Sequence, residues 1–130
     1  MNVFGKWELI PELCQYQVGN IPDQATYEIV KRGEDIVFTV EWSADGQDLG
    51  VTFSAPADGS IEPSDNDMPA HRIIPINDNQ LDGEALVEDH RVAYASRKVS
   101  ADGQLLSVLQ VNGVGSEHEH RIFQVYRRLS

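Results

Sequence analysis

The pentapeptide Ser-Ala-Asp-Gly-Gln occurs twice, at Ser43–Gln47 and at Ser100–Gln104. Each copy stands between runs in which apolar and polar residues alternate. Alternation places successive side chains on opposite faces of a strand, and Asp-Gly between two such runs is the turn chemistry of a β-hairpin. Two separate parts of the chain therefore specify antiparallel pairing. Two turn geometries compete. Ala-Asp-Gly can close a bulged hairpin as a type I turn with glycine in the left-handed position, and Asp-Gly alone can close a tight two-residue turn. Beyond the pentapeptide only Leu49/Leu106 and Val51/Val108 match. The doubling reads as one good turn sequence used twice, not as a duplicated half-domain.

Around the first copy, Ile36, Phe38, Val40 and Trp42 share one face, with Thr39 and Glu41 on the other. Leu49, Val51, Phe53 and Ala55 then alternate with Gly50, Thr52 and Ser54. Val92, Tyr94 and Ser96 lead to the second copy, and Leu105–Val111 follows it. That run is apolar on both faces, Leu105 and Leu109 on one, Leu106 and Val108 on the other. It is expected to be covered on both sides or to meet a partner chain, which makes Leu105–Val111 the candidate homodimer strand. Further strands are predicted at Phe4–Leu9, Ala25–Lys31, His71–Ile76, Gln80–Val87 and His120–Arg128. Gly83 inside such a run predicts a bulge. Ser60–Ala70 reads as a loop, and Pro11–Pro22 has room for one short helical turn around Glu12–Tyr16.

Eight or nine short strands with short connections favour an up-and-down antiparallel order. Such a sheet has two edges, and closure into a barrel removes both. The predicted fold is all-β, a single up-and-down antiparallel barrel over residues 1–130 with room inside for side chains or one small ligand. An open β-sandwich is the alternative. It needs longer crossovers, and Ser60–Ala70 is its only candidate.

A chain of 130 residues can bury its core without disulfides or metals. Against 10 basic residues stand 21 acidic ones, a formal net charge of −11. Phosphate backbones and anionic membrane surfaces repel such a chain, so neither nucleic acid nor a membrane is expected as a partner. Cys14 is the single cysteine, which excludes an intrachain disulfide and suits a reducing compartment. No stretch approaches the roughly 20 apolar residues of a membrane helix, and the start lacks the pattern of a secretory signal. The expected location is cytoplasmic.

Gly5-Lys6-Trp7 on the first strand resembles the Gly-x-Trp of the lipocalin superfamily, and the last strand ends Val125-Tyr126-Arg127-Arg128. In that superfamily a basic residue near the barrel's end packs over the tryptophan. The resemblance gives that role to Arg127 or Arg128, closing the barrel on Trp7 through a cation–π contact. The run Arg97–Gln104, the apolar residues after it and the terminal Val-Tyr-Arg are similar to small bacterial lipocalin-like (calycin) domains without an assigned activity. The disulfides and the helix before the last strand that typical lipocalins carry have no counterpart here. The resemblance implies a barrel of the lipocalin and fatty-acid-binding group that binds a small apolar or amphipathic ligand.

Phe38, Trp42 and Phe53 fall on the apolar face of the first hairpin, and Tyr94 is grouped with them as a cavity residue. Pockets are mostly apolar with a few orienting polar groups. Arg91 and Arg97 lie on the other parity from Tyr94, and if that parity faces inward both are expected to meet a carboxylate ligand. The competing reading is that these aromatics fill a core. Glu117-His118-Glu119-His120 places two histidines on one strand face, a zinc-like spacing that needs a distant third ligand such as His71 or His90. An exposed strand end is the simpler reading. Asp65-Asn66-Asp67 has calcium-type donors but no EF-hand loop around them. There is no Gly-x-Ser-x-Gly, phosphate loop or Cys-x-x-Cys, and Cys14 has no cationic neighbour in sequence. The expected function is therefore non-enzymatic binding, without metal or cofactor. The alternative is an interaction or structural dimer module with a filled barrel.

Overall fold

Among the described residues eleven strands pair in the order β5-β4-β3-β1-β11-β10-β9-β8-β7-β6, with β2 beside β11. They are β1 Gly5–Leu9, β2 Gln15–Tyr16, β3 Gln24–Arg32, β4 Asp35–Ala44, β5 Gln47–Pro56, β6 Ile61–Glu62, β7 Ala70–Asn77, β8 Gln80–Val87, β9 His90–Val99, β10 Leu105–Asn112 and β11 His120–Arg128. The computed structural model describes residues 1–63 and 69–130, so Asp65-Asn66-Asp67 lies outside the described residues. Every pairing is antiparallel, and β1 joins the two ends of the chain by pairing with both β3 and β11. The result is a nearly closed barrel. Among the described residues the sheet has a seam, where β5 approaches β6 and β7 without a shared hydrogen-bonded register.

The count exceeds the expected eight or nine because β2 and β6 have two residues each, too few to show alternation. A single 3-10 turn, Pro11–Leu13, takes the place of the helical turn expected around Glu12–Tyr16. Gln15 and Tyr16 pair instead with Phe123 and Ile122. Gly83 is not a bulge. It sits in register between Ile73 and Ala95, and the irregularity falls at Ala85/Leu86. Its missing side chain has another use. A Cβ there would stand 3.2 Å from the Arg97 guanidinium, so glycine leaves space for that side chain.

The two identical pentapeptides adopt the two competing turns, one each. In the first, Ala44 pairs with Gln47, and Asp45 and Gly46 both have positive φ, 53° and 77°. That is the tight two-residue geometry. In the second, only Gly103 has positive φ, its N–H donates to the Ser100 carbonyl, and the strands resume at Val99 and Leu105. The residue after each copy separates them. Asp48 accepts the Ser43 hydroxyl at 2.6 Å. Leu105 cannot do so, and the Ser100 hydroxyl instead donates to Asp102 at 2.7 Å and accepts the Leu105 N–H at 3.0 Å.

Inward faces follow the alternation. Trp7, Leu9, Tyr27, Ile29, Ile36, Phe38, Leu81, Val99, Leu106, Val108 and Tyr126 are buried in one cluster. Each large apolar side chain fully removed from water stabilises the fold by about 1.5–3 kcal/mol. Phe38 stacks on Phe53 across the first hairpin, with ring centres 4.8 Å apart. Further along, the hairpin leaves the core. Leu49 and Val51 share the inward parity yet remain 45% and 46% exposed, because this half of β5 lines the open end of the barrel.

The other end is closed. Arg128 lies over the Trp7 ring at 4.1 Å and donates to the carbonyls of Asn2, Phe4 and Gly103. Trp7 donates its indole N–H to the Val3 carbonyl at 3.0 Å. Gly5 is obligatory beneath them. Its φ is 138°, and a Cβ would fall 2.4 Å from the Ser130 carbonyl oxygen. Of the adjacent arginines only Arg128 reaches Trp7. Tyr126 faces inward, so Arg127 faces outward, where it pairs with Glu8 at 3.1 Å.

Candidate functional site

Inside the open half lies a cavity of about 390 Å³. Its walls differ in chemistry. On one side β4 and β5 contribute Val40, Trp42, Val51 and Phe53. The facing wall, from β3, β9, β10 and β11, presents Tyr27, Arg97, Gln110, Gln124 and Tyr126, with Tyr16 of β2 beside them. An apolar wall facing a wall of oriented polar groups suits an amphipathic molecule.

Arg97 is 5% exposed and is the one buried charged side chain among the described residues. Its guanidinium lies 4.5 Å from the Phe38 ring centre, and its Nε donates to the Tyr27 hydroxyl at 2.8 Å. No carboxylate pairs with it among the described residues. Nη1 is shut away from solvent on the Gly83 side, without a hydrogen-bond partner among the described residues. A buried charge lacking an ionic partner is costly, and that cost falls when an anion reaches it. Because the Tyr27 oxygen accepts from Arg97, its own O–H remains available to donate to the same anion.

A second polar chain runs along β11. Tyr126 donates to Gln124 at 3.0 Å, and Gln124 donates to Tyr16 at 2.6 Å. Burial, followed by the neighbouring Tyr27 and Tyr16 hydroxyls, pushes the Tyr126 phenol far above its ordinary range. Burial also raises Tyr16, against the opposing effect of its bond from Gln124. Both phenols stay neutral donors at physiological pH.

Trp42, Phe53 and Arg97 line the cavity. Phe38 lies deeper, in the packed core beneath Arg97. The barrel is therefore filled at one end and hollow at the other. Tyr94 is not a cavity residue. Val99 pairs with Leu106 in the core, which turns Arg97 and Ala95 inward and Tyr94 outward, between Glu84 and Val111. The Arg91 guanidinium covers its ring at 4.7 Å. Tyr16, Tyr27, Gln124 and Tyr126 escaped the sequence reading, although Tyr27 shares its face with Ala25 and Ile29 in a visible alternation.

The other candidates do not assemble. His118 is exposed, and the His120 ring hydrogen-bonds to the His118 carbonyl instead of converging on its ring. No group of three metal-ligating side chains forms among the described residues. The Cys14 thiol donates to the Ile10 carbonyl at 3.3 Å, and burial raises its pKa, which opposes a nucleophilic role.

A shallow outer groove of about 600 Å³ runs along the open end. Ala25 and Trp42 line both this groove and the inner cavity, and no other residue does. The wall is thin there because β1 pairs with β3 only as far as Thr26. Beyond that point the chain after β1 follows β11 instead, with the Ile10 N–H donating to the Val125 carbonyl. The seam between β1 and β3 therefore parts beside Ala25.

No helix among the described residues is long and apolar enough to cross a membrane. No family model and no curated protein matches the sequence. Solved structures do match. One is described as REP1-NXSQ fatty acid transporter, with a TM-score of 0.57 and 16% identity over 99% of this chain and 97% of that one. A point mutant of the same transporter gives a TM-score of 0.59 at 16% identity, covering 98% of both chains. The zebrafish ileal bile acid-binding protein complexed with cholic acid gives a TM-score of 0.60 at 15% identity, covering 99% of this chain and all of that one. The chain shares the fold of these neighbours, a nearly closed antiparallel β-barrel.

Proposed function

We propose that the protein is a non-enzymatic binder of a small amphipathic anion, held with its charged head at Arg97 and its apolar body against Trp42 and Phe53. The observation that carries this reading is the cavity-lining Arg97 guanidinium, buried without an ionic partner among the described residues. A carboxylate in the cavity would accept charge-assisted bonds from the Arg97 guanidinium and the Tyr27 hydroxyl. The fold neighbours support it, since a fatty acid and cholic acid both join an apolar body to an acid group. Isothermal titration with a long-chain carboxylic acid tests it. Saturable binding at one molecule per chain, weakened by Trp42→Ala, is expected; no heat and no saturation would refute it.

A second reading concerns the outer face of β10 and β11. Its outward residues are Leu105, Ser107 and Leu109, and Arg121, Phe123, Val125 and Arg127, the two arginines pairing with Glu119 and Glu8, while Val111 on the same parity is buried. Leu105 and Phe123 are exposed. This face would pair two copies through Leu105–Val111. Light scattering tests it, and a strict monomer removes it.

A further inference from the structure

The outer groove and the cavity share a wall at Ala25 and Trp42, and a ligand crossing there would pass between solvent and cavity. Outside that wall the groove is strongly acidic. Glu8, Glu12, Asp23, Glu41 and Asp48 line it against one cation, Arg127, which already pairs with Glu8. Inside it the charged group is Arg97. The two ends of the path therefore have opposite sign. An amphipath that enters head first places its anion on Arg97 and leaves its far end beside Trp42, facing the carboxylates.

We propose, resting on the reading of the cavity as an anion-binding site, that the acidic mouth makes the protein select amphipaths with a single anionic end. A neutral hydrocarbon tail at the mouth meets Trp42 and Leu49 and no opposing charge. A second carboxylate at the far end meets the like charges of the groove, and that repulsion disfavours the complex. The carboxylates act as a rejecting field and bind nothing themselves. Most of them are exposed, so the effect is sensitive to salt. Asp48 is held in place by the Ser43 hydroxyl. Asparagine keeps that acceptor and removes the charge.

The test is competition between hexadecanoic acid and its α,ω-dicarboxylic counterpart for the protein, read by displacement of a fluorescent fatty acid. The wild type is expected to hold the monoacid about tenfold or more tighter than the diacid. The diacid also has a second carboxylate to desolvate, so the ratio alone does not report the mouth. In Glu41→Gln/Asp48→Asn the ratio should shrink about threefold through tighter diacid binding, and about 1 M salt should shrink it likewise in the wild type. Both positions are exposed, and the fold should tolerate the changes. A ratio unchanged in the double variant, with the monoacid still bound, overturns the selectivity and leaves the cavity reading intact. Failure of the wild type to bind the monoacid overturns both.

Discussion

Arg128 and Trp7 lock the first strand to the last, with the guanidinium 4.1 Å above the indole and its N–H groups on the carbonyls of Asn2 and Phe4 in the N-terminal segment and of Gly103 in the second Asp-Gly turn. Arg128→Ala removes the cation–π contact and leaves those carbonyls without their charged donor. We expect a loss of about 2–4 kcal/mol in urea unfolding. Arg127→Ala, one residue away but on the outer face, should change stability by less than about 0.5 kcal/mol. Equal losses would mean that the closed end is not held this way.

The same pentapeptide in two geometries predicts two responses to one substitution. Asp45 has φ of 53° and asparagine adopts that region readily, so Asp45→Asn should leave the melting temperature unchanged or raise it. Asp102 instead accepts the Ser100 hydroxyl and the Gln104 N–H, which lower its pKa. Asp102→Asn weakens those acceptances and should lower the melting temperature. Thermal unfolding of both variants at neutral pH decides the matter.

Tyr126 predicts an alkaline limit to stability. Its folded pKa is raised, first by burial, so deprotonation is favoured in the unfolded chain. The stability linked to this proton is complete below the ordinary tyrosine value of about 10 and is lost as pH rises above it. Ultraviolet titration should show Tyr126 ionising only as the protein unfolds. Tyr126→Phe should flatten the fall in stability above that pH.

Gly83 supports the site from behind. Alanine there would place a Cβ 3.2 Å from Arg97 Nη1 and 3.4 Å from Ile73 Cδ1. The guanidinium must shift, and Gly83→Ala should weaken long-chain carboxylate binding several-fold, on the order of 1 kcal/mol. Binding of the matching alcohol should hardly change. Equal weakening of both ligands would mean that the substitution spoils the cavity's shape instead of the position of Arg97.

The first hairpin was legible because both strands alternate strictly about an Asp-Gly turn, which sets Phe38 against Phe53. β9 was not. Val92 and Tyr94 on one parity and Ala93 and Ala95 on the other are all apolar, so its inward face depends on the register of Val99 with Leu106 across the sheet. That long-range pairing turned Tyr94 out and Arg97 in. The hollow end was also hidden, since it depends on where β1 leaves β3 and on the small residues Ala25 and Ala95 both lining the cavity.

The most direct test of Arg97 as an anion anchor is Arg97→Met, measured for stability and for binding on the same sample. Methionine fills a similar volume and removes a buried, ionically unpaired charge, so urea unfolding should show stability unchanged or increased by about 1–4 kcal/mol. The affinity for a long-chain carboxylate should fall about 10- to 100-fold, while that for the corresponding alcohol stays within about twofold. Unchanged carboxylate affinity, with the variant folded, would contradict the account.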